Sequence, residues 1–207
     1  MSAEVDRQAH WQEVYETKAT DAVSWYQPEP QPSADLLTLA GATPESGIVD
    51  IGGGASTLVD WLLGNGFRDV TVLDLSDAAL AAARSRLGAA ASPVSWIAAD
   101  VTKWRPARNW DIWHDRAAFH FLTDPGDRAA YVDRLRSGLR PGGHAIIGTF
   151  APDGPEKCSG LPVERYDARK LSSTLGSGFR LVDSRRHEHV TPWGAVQRFH
   201  FGTFVKD

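Results

Sequence analysis

A single cysteine, Cys158, stands in 207 residues, so the chain has no internal disulfide and no cysteine-cluster zinc site available to it. Basic residues are also short: 22 Lys+Arg against 26 Asp+Glu leave a net charge of −4. That balance excludes nucleic-acid binding driven by phosphate neutralisation. No run approaches the roughly 20 apolar residues that span a bilayer. The start, Met1-Ser-Ala-Glu-Val-Asp-Arg, puts charges where a signal peptide carries an apolar stretch. The expectation is a cytoplasmic protein with no nucleic-acid or membrane partner. At 42% hydrophobic and 23% charged residues, the composition suits one globular domain over residues 1–207 rather than a disordered chain.

Tryptophan, by contrast, is plentiful, with eight residues that cluster in the N-terminal segment and near expected strand ends. Packing alone accounts for many aromatic side chains. Several of these, however, neighbour Gly, Pro, His or Asp, a pattern that suits pocket walls.

Along the chain, Trp11, Val14 and Tyr15 at i, i+3, i+4 predict a helix over 4–18. The Pro-rich stretch 23–32 breaks it, and Ser33 is expected to cap a second helix running to about Leu39. Residues 1–40 thus form an N-terminal helical cap. Strands are expected at 47–51, 69–73, 94–98, 111–114 and 144–150. Between them lie a helix carrying Leu58, Val59, Leu62 and Leu63, a second capped by Ser76, and a third that begins at Asp124-Pro125 or Asp127 and stops at Pro141-Gly142-Gly143. A helix near 167–175 and two strands, 179–190 and 196–206, finish the chain, the strands joined through Thr191-Pro192-Trp193-Gly194. Five strand–helix alternations predict an α/β, doubly wound, mostly parallel seven-stranded sheet with a C-terminal antiparallel hairpin strand.

Ligands of such sheets lie beyond the carboxyl ends of the strands. The residues expected there are 50–56, Asp74, Asp100 and 114–120. Gly52 and Gly54 let backbone approach a ligand closely. A dinucleotide site would want glycine where Thr57 stands, and Asp50 would repel a pyrophosphate. Asp50 suits a ligand carrying an ammonium and a sulfonium. Asp74, 22 residues after Gly52, is placed to accept both hydroxyls of a ribose.

In that order, Val49-Asp50-Ile51-Gly52-Gly53-Gly54, Leu73-Asp74-Leu75-Ser76, Ala99-Asp100-Val101 and Leu139-Arg140-Pro141-Gly142-Gly143 resemble the motifs of class I S-adenosylmethionine-dependent methyltransferases. One departure is Ser56, where the family often has glycine, a change that helical backbone dihedrals would tolerate. The resemblance implies a Rossmann-like fold with S-adenosylmethionine as cofactor and S-adenosylhomocysteine as product. It implies that Asp50 and Gly52 lie against the methionine moiety and that Gly54 admits the ligand. Asp74 with Leu75 would lie at the ribose, Asp100 with Val101 at the adenine, and Trp25 and Tyr26 over the methionine end.

The second half narrows the resemblance. Ile112-Trp113-His114-Asp115-Arg116-Ala117, Asp124-Pro125-Gly126-Asp127-Arg128 and Pro155-x-Lys157-x-x-Gly160-x-Pro162 are similar to the thiopurine and tellurite-resistance methyltransferases. Trp11-x3-Tyr15 and Ser24-Trp25-Tyr26 are similar to small lysine methyltransferases, which usually carry an acid where His120 stands. Three residues after strand four are catalytic candidates: Asp115; Arg116, to steady a thiolate or carboxylate; and His120, to take a proton. Their competing readings are a loop ion pair for Arg116 and a packed core histidine for His120. A thiol, with a pKa of about 8.5, needs little activation, whereas an alcohol needs a strong base or a metal. A small-molecule acceptor of the thiol, selenol or metalloid class is therefore favoured. The alternatives are a protein lysine methyltransferase and a non-catalytic binding module, with a nicotinamide-dependent enzyme as outsider. The unpatterned segment 151–166 is expected to cover the acceptor pocket, with Cys158 an ordinary loop thiol in it. His187 and His189 read as a surface or pocket-edge pair rather than metal ligands, and no metal is expected. Arg84, Arg86, Arg105 and Arg108 read as solvated surface. Sequence leaves oligomeric state and the acceptor's identity open.

Overall fold

In the computed structural model, which describes residues 6–207, Ile48–Ile51 forms β1 and Val70–Asp74 forms β2, with every residue of both strands buried. Strands covered by helices on both faces read as continuous apolar runs rather than alternations, which is how these were recognisable. In chain order the helices are α1 (Arg7–Thr17), α2 (Ser33–Leu39), α3 (Leu58–Gly64), α4 (Asp77–Leu87), α5 (Pro125–Gly138) and α6 (Ala168–Leu175). The remaining strands are β3 (Ser95–Ala98), β4 (Trp110–Arg116), β5 (Leu139–Phe150), β6 (Lys157–Cys158), β7 (Leu161–Pro162), β8 (Phe179–Val190) and β9 (Val196–Lys206). Residues 4 and 5 of the expected first helix, and 1–5 of the expected cap, lie outside the described residues.

The main sheet runs β3-β2-β1-β4-β5-β9-β8. Strands β1 to β5 pair in parallel, and β9 is antiparallel to both β5 and β8. This is the seven-stranded, doubly wound, mostly parallel sheet with one antiparallel hairpin strand. One face packs on α5 and α6 through Val49, Leu73, Trp113, Tyr131, Leu135 and Leu171. The other packs on α2, α3 and α4 through Leu37, Ile48, Leu62, Val72, Leu80 and Ile146. Order reverses between β1 and β4, where Ile51 lies level with Asp115. The carboxyl ends of these two strands flank the crevice that open α/β sheets use for ligands.

Three local expectations need correction. Ser33 does not cap α2. Pro32 occupies the cap position, and the Ser33 hydroxyl lies 2.8 Å from Nε2 of His114. Helix α5 stops at Gly138, before Pro141-Gly142-Gly143, and β5 starts at the next residue rather than at His144. A Cβ at Gly138 would meet Trp113 at 2.9 Å, so only glycine lets the helix end so near β4, and residues 140–143 fall in the register irregularity opposite it. The segment 151–166 also carries structure of its own, the short antiparallel pair β6–β7. Elsewhere the side chains of Ser76 and Asp124 cap α4 and α5 as expected.

Candidate active site

At the end of β1 the chain turns through Gly52 at φ 67°, a backbone region L side chains rarely adopt. A Cβ there would also fall 2.6 Å from that of Ala118, which brings the loops after β1 and β4 into contact. Ser56 is not among the positive-φ residues, so the sequence's departure from glycine there carries no backbone strain. Arg86 is exposed, as expected, yet it also donates to the carbonyls of Ala55 and Ser56 at 3.0 and 2.7 Å and pairs with Asp60, bracing this loop. Arg84 and Arg108 stack over Trp96 and Trp110.

Asp74, at the end of β2, is buried and accepts from the Ser76 N–H at 2.8 Å. Burial pushes its carboxyl up to about 7, partly offset by the backbone N–H groups it accepts from. Asp100, beyond β3, accepts from the Thr102 N–H at 2.9 Å and its hydroxyl at 2.7 Å. Asp74, Leu75, Asp100 and Val101 line one cavity with Ile51, Gly52 and Leu73. The expected Trp25 also lines it, joined by residues not foreseen: Arg7, Trp11 and Tyr15 from α1, and Phe121. These aromatics hold one another, the Trp25 indole N–H donating to Tyr15 Oη at 3.0 Å and Trp11 lying edge-on to both Trp25 and Phe121. The i, i+4 pair Trp11/Tyr15 was the available signal, and it reads equally well as core packing.

A second, smaller cavity shares Tyr15, Trp25, Gly52 and Arg116 with the first and adds Tyr26, Asp50, Thr57 and His114. Asp50 Oδ1 lies 2.7 Å from His114 Nδ1, and Oδ2 has no partner among the described residues.

The three catalytic candidates separate. Asp115 lines neither cavity. It is buried, and it accepts from the N–H groups of Ala118 and Phe119 and from the Tyr131 hydroxyl, at 3.0, 3.1 and 2.8 Å. Burial lifts its carboxyl to about 6 against those hydrogen bonds. Its work is to lock the turn in which Ala117 adopts φ 67°. His120 also lines neither cavity: it packs against Phe121 and Phe150, and its Nδ1 accepts from the Phe150 N–H at 3.3 Å. Burial first and the Arg116 charge second push it down to about 3, so the imidazole is neutral and a poor base. Neither side chain lines a cavity, and each is held by contacts inside the protein. Of the three candidates, only Arg116 lines both cavities. Nη1 donates to the Trp25 carbonyl at 2.9 Å, while buried Nε and Nη2 have no partner among the described residues. No loop carboxylate among the described residues pairs with it. Burial lowers it to about 10, which leaves it charged at neutral pH.

Cys158 is more than a loop thiol, since β6 carries it into the wall of the larger cavity. Burial pushes it up to about 11, so it remains protonated. His189 donates from Nε2 to the Ser24 carbonyl at 2.6 Å, tying β8 to the N-terminal segment. Among the described residues no group of three His, Cys, Asp or Glu is disposed to hold a metal ion. No described helix is long and apolar enough to cross a membrane.

Residues 48–143 match the family model described as a methyltransferase domain. No curated protein matches the chain. Among solved structures, one from a study of the conversion of a disulfide bond into a thioacetal group during echinomycin biosynthesis is 22% identical, with a TM-score of 0.77 over 97% of this chain and 93% of that one. The Burkholderia thailandensis 1,6-didemethyltoxoflavin-N1-methyltransferase, with 1,6-didemethyltoxoflavin and S-adenosylhomocysteine bound, is 22% identical with a TM-score of 0.73 over 96% and 86%. The N-methyltransferase NodS from Bradyrhizobium japonicum WM9, with S-adenosylhomocysteine, is 19% identical with a TM-score of 0.73 over 97% and 99%. The fold is the Rossmann-like methyltransferase fold. The methyltransferase-domain match covers residues 48–143, just under half of the chain, and lies within that fold.

Proposed function

We propose that this chain moves the methyl group of S-adenosylmethionine to a small-molecule acceptor of the thiol, selenol or metalloid class, leaving S-adenosylhomocysteine. The residues present fit that cofactor: two carboxylates and an apolar wall in one cavity, an unpartnered acidic oxygen in the next, and glycines at 52 and 54 whose Cβ atoms would clash. Asp74 accepts from the ribose hydroxyls beside Leu75, and Asp100 with Val101 borders the adenine. Asp50, Gly52, Trp25 and Tyr26 surround the amino-acid end. When bound, S-adenosylmethionine supplies an electrophilic methyl on a sulfonium. The protein's share is alignment and exclusion of water, which in-line displacement rewards most. Trp11, Tyr15, Trp25 and Phe121 supply the exclusion.

The observation that carries the acceptor reading is Arg116, a half-buried cation that lines both cavities and has two buried, unpartnered nitrogens. Buried charge without a partner is costly, so its natural complement is an anion such as a thiolate. Neutral His120 and protonated Cys158 offer no base, and an acceptor that arrives as its own anion requires none. A lysine ammonium, by contrast, meets charge of its own sign. For a small-molecule acceptor, though not for its class, support also comes from a relative by fold, the 1,6-didemethyltoxoflavin-N1-methyltransferase with 1,6-didemethyltoxoflavin bound. The residue pattern after β4 favours the thiopurine and tellurite-resistance group within that class. The chain acts as one cytoplasmic domain, with the described part of the expected 1–40 cap, residues 6–40, over the cofactor and 151–166, through Cys158, closing the acceptor side.

Label transfer from methyl-labelled S-adenosylmethionine, into extract supplemented with small thiols and fractionated by size, tests this. Label in the small-molecule fraction is expected. Label on a discrete protein band would move lysine methylation to first place, and label in neither, with cofactor still bound, would make the chain a binding module.

A further inference from the structure

Asp50, His114 and Ser33 come from β1, β4 and the first turn of α2, and each is about 2% exposed or less. Between them run two hydrogen bonds, Asp50 Oδ1 to His114 Nδ1 at 2.7 Å and His114 Nε2 to Ser33 Oγ at 2.8 Å. The composition matches a nucleophilic triad, but the accessible end is the wrong one. Ser33 lines neither cavity, whereas Asp50 and His114 line the smaller. Asp50 Oδ2 is buried and without a partner among the described residues. It also lies where a Cβ at Gly53 would come within 2.4 Å, so the carboxylate sits directly beneath the glycine loop.

We infer that His114 and Ser33 are positioning residues that aim the free oxygen of Asp50 at a primary ammonium group, the one on the amino-acid end of the cofactor. This rests on the methyltransferase reading above. With Nδ1–H donating to Asp50, Nε2 keeps a lone pair for the Ser33 hydroxyl. An imidazole in this tautomer satisfies both neighbours at once. A carboxylate held on one oxygen cannot rotate away, and its second oxygen stays desolvated until a donor arrives. Histidine that orients an acidic ligand through its far nitrogen is the same device that outer partners perform at metal sites. The cost is visible in α2, whose first turn gives up a serine cap to supply the outer hydroxyl.

The test compares calorimetric binding of S-adenosylhomocysteine with that of 5′-methylthioadenosine, which lacks the amino-acid end. His114→Leu is expected to weaken S-adenosylhomocysteine by roughly ten- to hundredfold, the worth of a hydrogen bond to a charged group. Methylthioadenosine should change less than about twofold, since its adenosine contacts lie elsewhere. His114→Asn, which restores a donor to Asp50, should recover most of the loss. Ser33→Ala, the milder variant should His114→Leu fail to fold, is expected to give a smaller loss with the same selectivity. Equal weakening of both compounds, or unchanged S-adenosylhomocysteine binding in folded variants, overturns the inference and leaves the methyltransferase reading intact. Unaltered protein that binds neither compound removes that reading and the inference together.

Discussion

Gly54 stands so near Asp74 that a Cβ at position 54 would fall 2.5 Å from the Oδ2 of the carboxylate. Its φ is 29°, and the same Cβ would meet that of Ala79 at 3.0 Å. The loop after β1, the acid after β2 and the start of α4 are therefore one packed unit, and the glycine is required by the protein before any ligand enters. Gly54→Ala is expected to displace the Asp74 carboxylate and weaken S-adenosylhomocysteine at least about tenfold, as loss of a charged hydrogen-bond partner does. Calorimetry checks it, and unchanged affinity would separate the glycine loop from the ribose site.

Asp74 should also make binding and stability respond to pH in opposite senses. Its carboxyl, raised to about 7 by burial, is protonated in much of the ligand-free protein at mildly acidic pH. The ribose-holding role proposed for Asp74 calls for the ionised form, so affinity should fall as pH drops below about 7, by at most tenfold per pH unit. Stability runs the other way. Between the ordinary carboxylate value of 3.8 and about 7 the folded state binds more protons than the unfolded one, so this group's stabilisation fades as pH rises through that window. Asp74→Asn should flatten the pH dependence of binding at a weaker level, while raising the melting temperature of ligand-free protein at pH 8 by a few degrees, on the order of 1–2 kcal/mol. A titration that stays steep in the variant would assign the proton to another group.

Those strand-end residues were legible because the signals sit in the backbone. Asp74 and Asp100 follow short apolar runs, Gly52 is where the turn must be, and Ser76 and Asp124 cap helices as their side-chain chemistry dictates. The residues after β4 were not legible in the same way. Asp115, Arg116 and His120 are adjacent polar letters, but the turn at Ala117 sends Asp115 and His120 into the protein and leaves Arg116 facing the cavities. A polar side chain serving the interior looks, in sequence, like one serving a ligand. The wall from α1 and Cys158 was hidden for a different reason. Periodicity announces an apolar face without saying what it covers, and a two-residue strand such as β6 has no period at all.

Asp115 satisfies three donors from inside the protein, so its removal is a stability change. Asp115→Ala should cost about 2–4 kcal/mol, the range for stranding buried hydrogen-bonding groups, and lower the melting temperature by roughly 5–15 °C. At a temperature where the variant remains folded, its affinity for methylthioadenosine should stay within about threefold. Full thermal stability with turnover abolished would return Asp115 to the chemistry.

His120 gives a sharper contrast with its sequence expectation. Held down to about 3 and walled off by Phe121 and Phe150, it does not titrate in the range where a histidine base acts. His120→Gln, which keeps a polar group near the Phe150 N–H, should leave the pH profile of kcat unchanged in shape, with turnover reduced at most about threefold through packing. An ionisation near neutrality that disappears in the variant would restore the base role.

Arg116 is where the acceptor question is decided. Its guanidinium spends one nitrogen on the Trp25 carbonyl and keeps two free at the junction of the cavities, stacked over Phe199 at 5.1 Å. An uncharged side chain of similar length fills the same space without the charge. Arg116→Met should therefore lower kcat/KM for a thiol acceptor by about a hundredfold, the usual cost of losing an electrostatic stabiliser in a water-poor site. The affinities of S-adenosylhomocysteine and methylthioadenosine should barely move. Arg116→Lys should recover only part, because a single ammonium cannot reach both the Trp25 carbonyl and an acceptor. Two results would break this assignment in different places. Selective loss of S-adenosylhomocysteine binding would give the guanidinium to the cofactor's carboxylate instead, and a gain of methylation on amines would identify Arg116 as the element that had been rejecting them.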